Sequence, residues 1–374
     1  MLLLCKIQNF FKKEAVLCIS GFAALVTMFF VTPSISYLNY IDFRVLALLF
    51  CLMAVVAGFN ETGVFLSLSE KLLKRVNNTR GLSLVLIMLC FFGSMWITND
   101  VALITFVPFT IMLLSVTSQT KYMIPIMVLE TVAANLGSML TPVGNPQNLF
   151  LYSFYHLSIG DFLRITLPYT VVSLLLLGAS VLFIKKEDLR VTLPEAQKAG
   201  RKKLCLIGIY SLLFLICLFC VLHILDYRIM LLIVFLTVLL CQRRVLMKVD
   251  YSLLLTFVFF FLFVGNLGSL TVIKEFLSNL MNGRELLIAI TASQVISNVP
   301  AALLLSAFTD NGKALILGTD IGGLGTIIAS LASLISFKFY IKTEGAKPGK
   351  YLISFTLYNL IFLAGLILFY ILIN

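Results

Sequence analysis

The chain has 374 residues, 60% hydrophobic and only 12% charged, with 28 Lys and Arg against 17 Asp and Glu. A soluble domain is close to half apolar and a quarter charged, so this composition excludes an ordinary soluble protein and points to lipid. The net charge of +11 does not mark a nucleic-acid face, because the basic residues fall in short loops between apolar runs, where a cytoplasmic excess is expected.

Apolar stretches long enough to cross ~30 Å of hydrocarbon recur along the chain. The first, 15–33, follows Lys12 and Lys13 and lacks a small-residue cleavage pattern, which predicts an uncleaved first helix with a cytoplasmic N-terminus. Residues 43–58 span. Residues 61–75 are amphipathic and suit an interfacial position. Residues 81–118 split at Thr98-Asn99-Asp100 into two halves too short for comfortable separate spans, so they are expected as a re-entrant hairpin. Residues 122–156 form a span interrupted by GSMLTPVGNPQN (137–148). Pro142 and Pro146 disfavour helix there, and Gly137 and Gly144 permit unusual backbone angles. A further span covers 162–184. The basic stretch 185–203 is a cytoplasmic linker, and 204–224 adds one extra crossing.

The same motifs then recur in order. YIDFRVLALLF (40–50) resembles KVDYSLLLTFV (248–258), and WITNDVALI (96–104) resembles VISNVPAALL (295–304). NLGSMLTPVGNPQNL (135–149) resembles DIGGLGTIIASLASL (320–334), pairing Asn135 with Asp320, Gly137 with Gly322 and Thr141 with Thr326. The fold expected is an all-α polytopic membrane protein with two inverted-topology repeats, each holding a re-entrant hairpin and a discontinuous helix. The first repeat is 1–184, a linker with the extra helix is 185–227, and the second repeat is 228–374, with its hairpin at 284–310 and unwound helix at 313–340. With the N-terminus inside, most basic residues, among them Lys71, Lys74, Lys185, Arg243, Lys248 and Lys342, fall on the cytoplasmic side.

The polar breaks carry the functional reading. At membrane depth every backbone N–H and C=O must be satisfied inside the protein. The short oxygen- and amide-bearing side chains of Thr98, Asn99, Ser297 and Asn298 can do this and can also bind substrate or ion, and the helix starting after each tip favours an anion at its N-terminus. Pro300 suits the first turn of the second such helix. Thr141, Gly144, Asn145, Asn148 and Thr326 shape the unwound loops, whose carbonyl and amide oxygens suit sodium. Asp100 and Asp320 are the acidic groups expected at depth, to couple protons or sodium. Glu130 also lies in an apolar stretch, where an interfacial position or a pairing with Lys121 is expected. His156 and His223 fall at outer helix ends as structural residues. Trp96 suits packing the hairpin and contacting substrate equally. Most of the eight cysteines sit inside apolar spans, Cys217 and Cys220 as packing residues, and neither a disulfide framework nor a metal site other than one for sodium is readable. No cofactor motif is readable, and the Walker pattern of an ATP-driven pump is absent.

At these residues the chain resembles the ion transporter superfamily, which includes divalent-anion/sodium symporters, arsenite permeases and a small bacterial branch of citrate-transporter-like anion permeases. The resemblance covers essentially the whole chain. It rests on Thr98-Asn99-Asp100, LTPVGNPQN and QVISNVPAALLL. It implies a scaffold and a mobile transport domain with substrate held between two hairpin tips, each Ser-Asn-Thr in the dicarboxylate carriers. Thr98 and Asn99 match the first tip, with Asp100 in its third position. Ser297 and Asn298 match the second, with Val299 in place of Thr. The sodium sites it implies join Asn99 to the Gly144 region and Asn298 to the Ala329 region. Asp100 would repel a dicarboxylate unless protonated or paired, and is closer to the arsenite-permease pattern.

The function expected is therefore secondary active transport of a small anion, an organic carboxylate, by alternating access with sodium or protons as coupling ion. It would take place in the cell membrane, with the bilayer as partner and dimerisation entering only by analogy. Efflux of a metalloid oxyanion, or of sodium against protons, is the alternative. An intramembrane aspartyl enzyme is the remote one, and it lacks Gly-x-Gly-Asp, having LGTD (317–320) instead.

Overall fold

A computed structural model describes residues 14–65, 67, 69, 76–188 and 200–373. The expected interfacial segment 61–75 and the middle of the linker lie largely outside the described residues. Among those described there are sixteen α-helices and no strand. They begin with α1 (Ala15–Met28), α2 (Phe43–Thr62), α3 (Thr79–Ile97), α4 (Asn99–Val116), α5 (Met123–Ser138), α6 (Pro146–Phe154), α7 (Ile159–Leu182) and α8 (Arg201–Val221). They continue with α9 (Tyr227–Gln242), α10 (Tyr251–Ser269), α11 (Thr271–Met281), α12 (Glu285–Ile296), α13 (Asn298–Ser306), α14 (Gly312–Gly322), α15 (Leu331–Tyr340) and α16 (Pro348–Ile373).

Eight of the described helices are long and apolar enough to cross a membrane, so the chain is an all-α, multi-pass membrane protein. The helix ends follow local chemistry. Asp42 caps α2 by accepting from the Val45 N–H at 3.0 Å, and Asp250 caps α10 by accepting from Leu253 at 2.9 Å. These caps are the aspartates of the two matching sequence stretches. Pro146 opens α6, where its missing N–H costs nothing.

Two helix pairs turn back at a single residue, α3–α4 at Thr98 and α12–α13 at Ser297. The second pair is short, with 12 and 9 residues, ~18 and ~14 Å at ~1.5 Å per residue, and neither helix crosses hydrocarbon alone. The first pair differs from expectation. Its helices run 19 and 18 residues, each long enough to span, because helix α3 begins right behind its Asn78 cap and α4 continues through Pro108 to Val116.

Two further helices are interrupted, giving α5–α6 around 139–145 and α14–α15 around 323–330. The four interrupted elements interlock: α3 lies along α5 and α12 along α14, while α15 packs on α4 and α13 on α6. Close approach sets the glycines here. A Cβ on Gly137 would stand 2.0 Å from the Phe91 carbonyl oxygen, and one on Gly144 2.1 Å from that of Ser138. Both were expected to supply unusual backbone angles. Neither has positive φ, so what they supply is room for another backbone.

Candidate functional site

Thr98 and Ser297 share a conformation that side-chain-bearing residues rarely adopt, φ 68°, ψ 151° and φ 73°, ψ 153°. Each is held by the broken helix beside it. The Asn99 N–H donates to the Gly144 carbonyl at 3.1 Å, and the Asn298 N–H to the Ala329 carbonyl at 2.9 Å. Each Asn side chain then accepts from the next backbone N–H, Asp100 at 2.9 Å and Val299 at 3.0 Å. The first-turn donors of α4 and α13 are thus partly satisfied inside the protein, as burial requires. The threonines of the unwound loops repeat the match. Thr141 Oγ1 donates to the Met95 carbonyl at 2.5 Å and Thr326 Oγ1 to the Gln294 carbonyl at 3.1 Å, each three residues before its tip.

The tips are linked through a residue absent from the expected site. Asn135 Oδ1 accepts from Asn99 Nδ2 at 3.1 Å and from Ser330 Oγ at 3.0 Å, and Ser330 adjoins Ala329, the partner of Asn298. Gln294 is a second such residue: its amide donates to the carbonyls of Gly322 and Leu324, both at 2.8 Å, and accepts from the Thr326 N–H at 2.8 Å. Both are single amides in apolar helices. The only sequence signal for Asn135 is its register opposite Asp320.

Asp320 is buried and meets only amides. Asn145 Nδ2 at 3.2 Å and Gln147 Nε2 at 3.5 Å donate to one oxygen, and Asn148 Nδ2 at 3.0 Å to the other. No ion pair among the described residues involves it. Gln147 Oε1 and Asn148 Oδ1 are buried without a hydrogen-bond partner. The carboxylate and the two unpartnered amide oxygens are hard-oxygen groups, of the kind that binds a cation such as sodium.

Thr98, Asp100 and Asn145 line a cavity of about 700 Å³ together with Asn60 and Glu61 of α2 and the Lys248–Asp250 segment. Lys248 makes an ion pair with Glu61 at this cavity. Ser297 and Asn298 are buried and do not line it, and Thr326 is exposed elsewhere. Trp96, half-exposed, packs edge-on against Phe214 of α8, with ring centroids 6.4 Å apart. Its contact is with packing aromatics beside the tip. Glu130 does not pair with Lys121: that lysine binds Glu187 at 2.6 Å, while Glu130 takes the Thr110 hydroxyl at 2.5 Å.

The citrate transporter family model matches residues 12–312. An uncharacterized transporter of Methanocaldococcus jannaschii is 31% identical over 318 residues, covering 84% of this chain and 85% of that protein. The inner membrane protein YbiR of Escherichia coli is 30% identical over 310 residues, 80% of each chain. A silicon efflux transporter of Oryza sativa is 27% identical over 185 residues, 48% of this chain and 37% of that protein.

Proposed function

The chain belongs to the citrate transporter family, and from that premise we propose that it moves a small anion, an organic carboxylate, across the cell membrane by sodium- or proton-coupled alternating access. It is a multi-pass membrane transporter and not an enzyme. In this reading 1–184 and 228–374 are inverted repeats, 185–227 is the cytoplasmic linker with its extra helix, the N-terminus is cytoplasmic and the short pair α12–α13 is re-entrant.

The observation that carries the reading is the Asp320 cluster beside the tips. A buried carboxylate cradled by amide N–H groups still needs a positive partner, and Gln147 Oε1 and Asn148 Oδ1 offer the remaining ligands. A sodium ion or proton there neutralises Asp320. Thr98 and Ser297, with the helix N-termini behind them, take the anion. Cation and anion then cross together because either alone leaves an unpaired charge in a dry interior. Thr141, Gly144, Asn145, Thr326 and Ala329 hold the loops that carry both.

The presence of Asp100 in the cavity supports a second reading. A carboxyl beside the tip disfavours a dianion and tolerates a neutral hydroxide, so efflux of a metalloid hydroxide, or of sodium against protons, is the alternative. The partial similarity to a silicon efflux transporter points the same way. Thermal stabilisation of the detergent-solubilised protein by citrate, succinate, arsenite and sodium separates the two. A carboxylate that stabilises only with sodium or at acidic pH supports the first reading. Stabilisation by arsenite or by sodium alone, with no carboxylate effect, supports the second and sinks the first.

A further inference from the structure

Away from the tips, α5 carries a second buried acid. Glu130 has no exposed surface. One carboxyl oxygen accepts from Thr110 of α4 at 2.5 Å, and the other has no hydrogen-bond partner. The Cys90 thiol of α3 stands near the same carboxyl. Among the described residues, the side chains that four of the neighbouring helices bring to this region are uncharged. Helix α3 presents Cys90, α4 presents Thr110, α15 presents Ser336 and Tyr340, and α16 presents Tyr351. The α7 helix faces α5 with the buried Tyr169. The nearest basic residue along the chain, Lys121, is engaged by Glu187 beyond the start of α5. An ionised carboxylate in such a place would stand without a counter-charge and with an oxygen unsolvated, which costs several kcal/mol.

Hydroxyl groups lead from it toward one surface. Thr131, next to Glu130, donates its hydroxyl to the Met127 carbonyl at 2.7 Å, and Tyr351 of α16 stands near the Glu130 carboxyl. The Tyr351 hydroxyl donates to Ser336 at 3.0 Å, and its ring stacks on Tyr340 at 4.8 Å between centroids. The Tyr340 hydroxyl accepts from the Lys347 N–H at 3.0 Å in the largely exposed loop before α16. Hydroxyls of this kind can pass protons.

We propose that Glu130 is a proton-binding site separate from the tips, filled from the side of the 341–347 loop, and that its proton is coupled to transport. The site stands on its own geometry; only the coupling rests on the function proposed above. Thr110 holds one oxygen, and sliding of α4 along α5 as a tip moves would expose or re-bury the other. The proton enters as the acid forms and leaves as the carboxylate forms, with no other bond changed.

Labelling the purified full chain with dicyclohexylcarbodiimide tests the site, since this reagent takes the proton and the oxygen of an apolar carboxylic acid together. Peptide mass mapping is expected to find adduct on Glu130 that declines as pH rises and is absent in Glu130→Gln. A Glu130 unlabelled at every pH overturns the proposal, whatever the substrate. Proteoliposomes test the coupling, with citrate exchange and pH-gradient-driven citrate accumulation measured side by side. In Glu130→Gln the ratio of accumulation to exchange falls on the order of tenfold for a gradient of about one pH unit, and Glu130→Asp restores it. An unchanged ratio overturns the coupling. A wild-type protein that exchanges no carboxylate overturns the proposed function instead, and leaves the labelling to decide Glu130.

Discussion

Asn135 and Asp320 occupy matching positions in two similar stretches, and each bonds to the stretch that contains the other. Asn135 donates to the Gly323 carbonyl at 3.4 Å and accepts from Ser330 at 3.0 Å, while Asp320 accepts from Asn145, Gln147 and Asn148. The two interrupted helices are therefore fastened reciprocally, and only one of the two fasteners is acidic. The asymmetry gives the centre one carboxylate beside amides whose Gln147 Oε1 and Asn148 Oδ1 have no hydrogen-bond partner.

Asp320→Asn is expected to abolish stabilisation of the protein by sodium. The new amide faces amide donors already present and leaves at least one buried N–H unpaired, at a cost of about 1–3 kcal/mol. Melting temperatures of both proteins across a sodium titration check this. A mutant that gains as much from sodium as the wild type would move the cation seat elsewhere.

Gly144→Ala is expected to destabilise the chain by about 1–3 kcal/mol or more, as overpacking against an immobile backbone does. The new Cβ meets the Ser138 carbonyl oxygen at 2.1 Å. Gly178→Ala in α7 meets nothing within 4 Å, and it is expected to be neutral or stabilising by up to about 1 kcal/mol through helix propensity. Denaturation midpoints of the pair, read side by side, decide whether close approach is what Gly144 supplies.

Thr98→Gly and Ser297→Gly should each relieve a backbone strained by about 1–3 kcal/mol, since φ near 70° suits glycine. Higher melting temperature with weaker transport is the expected outcome. Lower melting temperature in both would mean that the hydroxyls, Ser297 Oγ to the Ala329 carbonyl at 3.3 Å among them, outweigh the strain.

His223 closes α8 with φ 62°, outside the spanning segments. Although His223 is largely exposed, desolvation, with Arg44 and His156 nearby, holds its imidazole below the ordinary 6.5. A depressed value means that the unfolded chain takes up the proton first, so this group's contribution is complete above 6.5 and is lost as pH falls through the lower folded value. His223→Asn, which tolerates the left-handed backbone, should flatten the loss of thermal stability on acidification below neutrality. An unchanged pH profile would assign that loss to other groups.

Much of this is legible in the sequence, and the reason differs by residue. The breaks at Thr98 and Ser297 announce themselves because polar and proline-rich clusters are costly in apolar runs, and the repeat of the motif fixes which loops face them. Asn135 and Gln294 are silent because a lone amide in a helix acquires its role only from the segment opposite, which is a tertiary fact. Glu130 lies seven residues inside α5, ~10 Å along its axis, whereas Lys121 precedes that helix and turns to Glu187. Sequence proximity suggests a pair that the start of the helix separates.

Trp96 is the chain's single indole, two residues from a tip and in contact with a ring on α8. The wild-type protein thus carries an optical reporter where α3 meets α8, beside the first tip. Its emission should register each swing of that tip without a dye, a tag or knowledge of what is being carried.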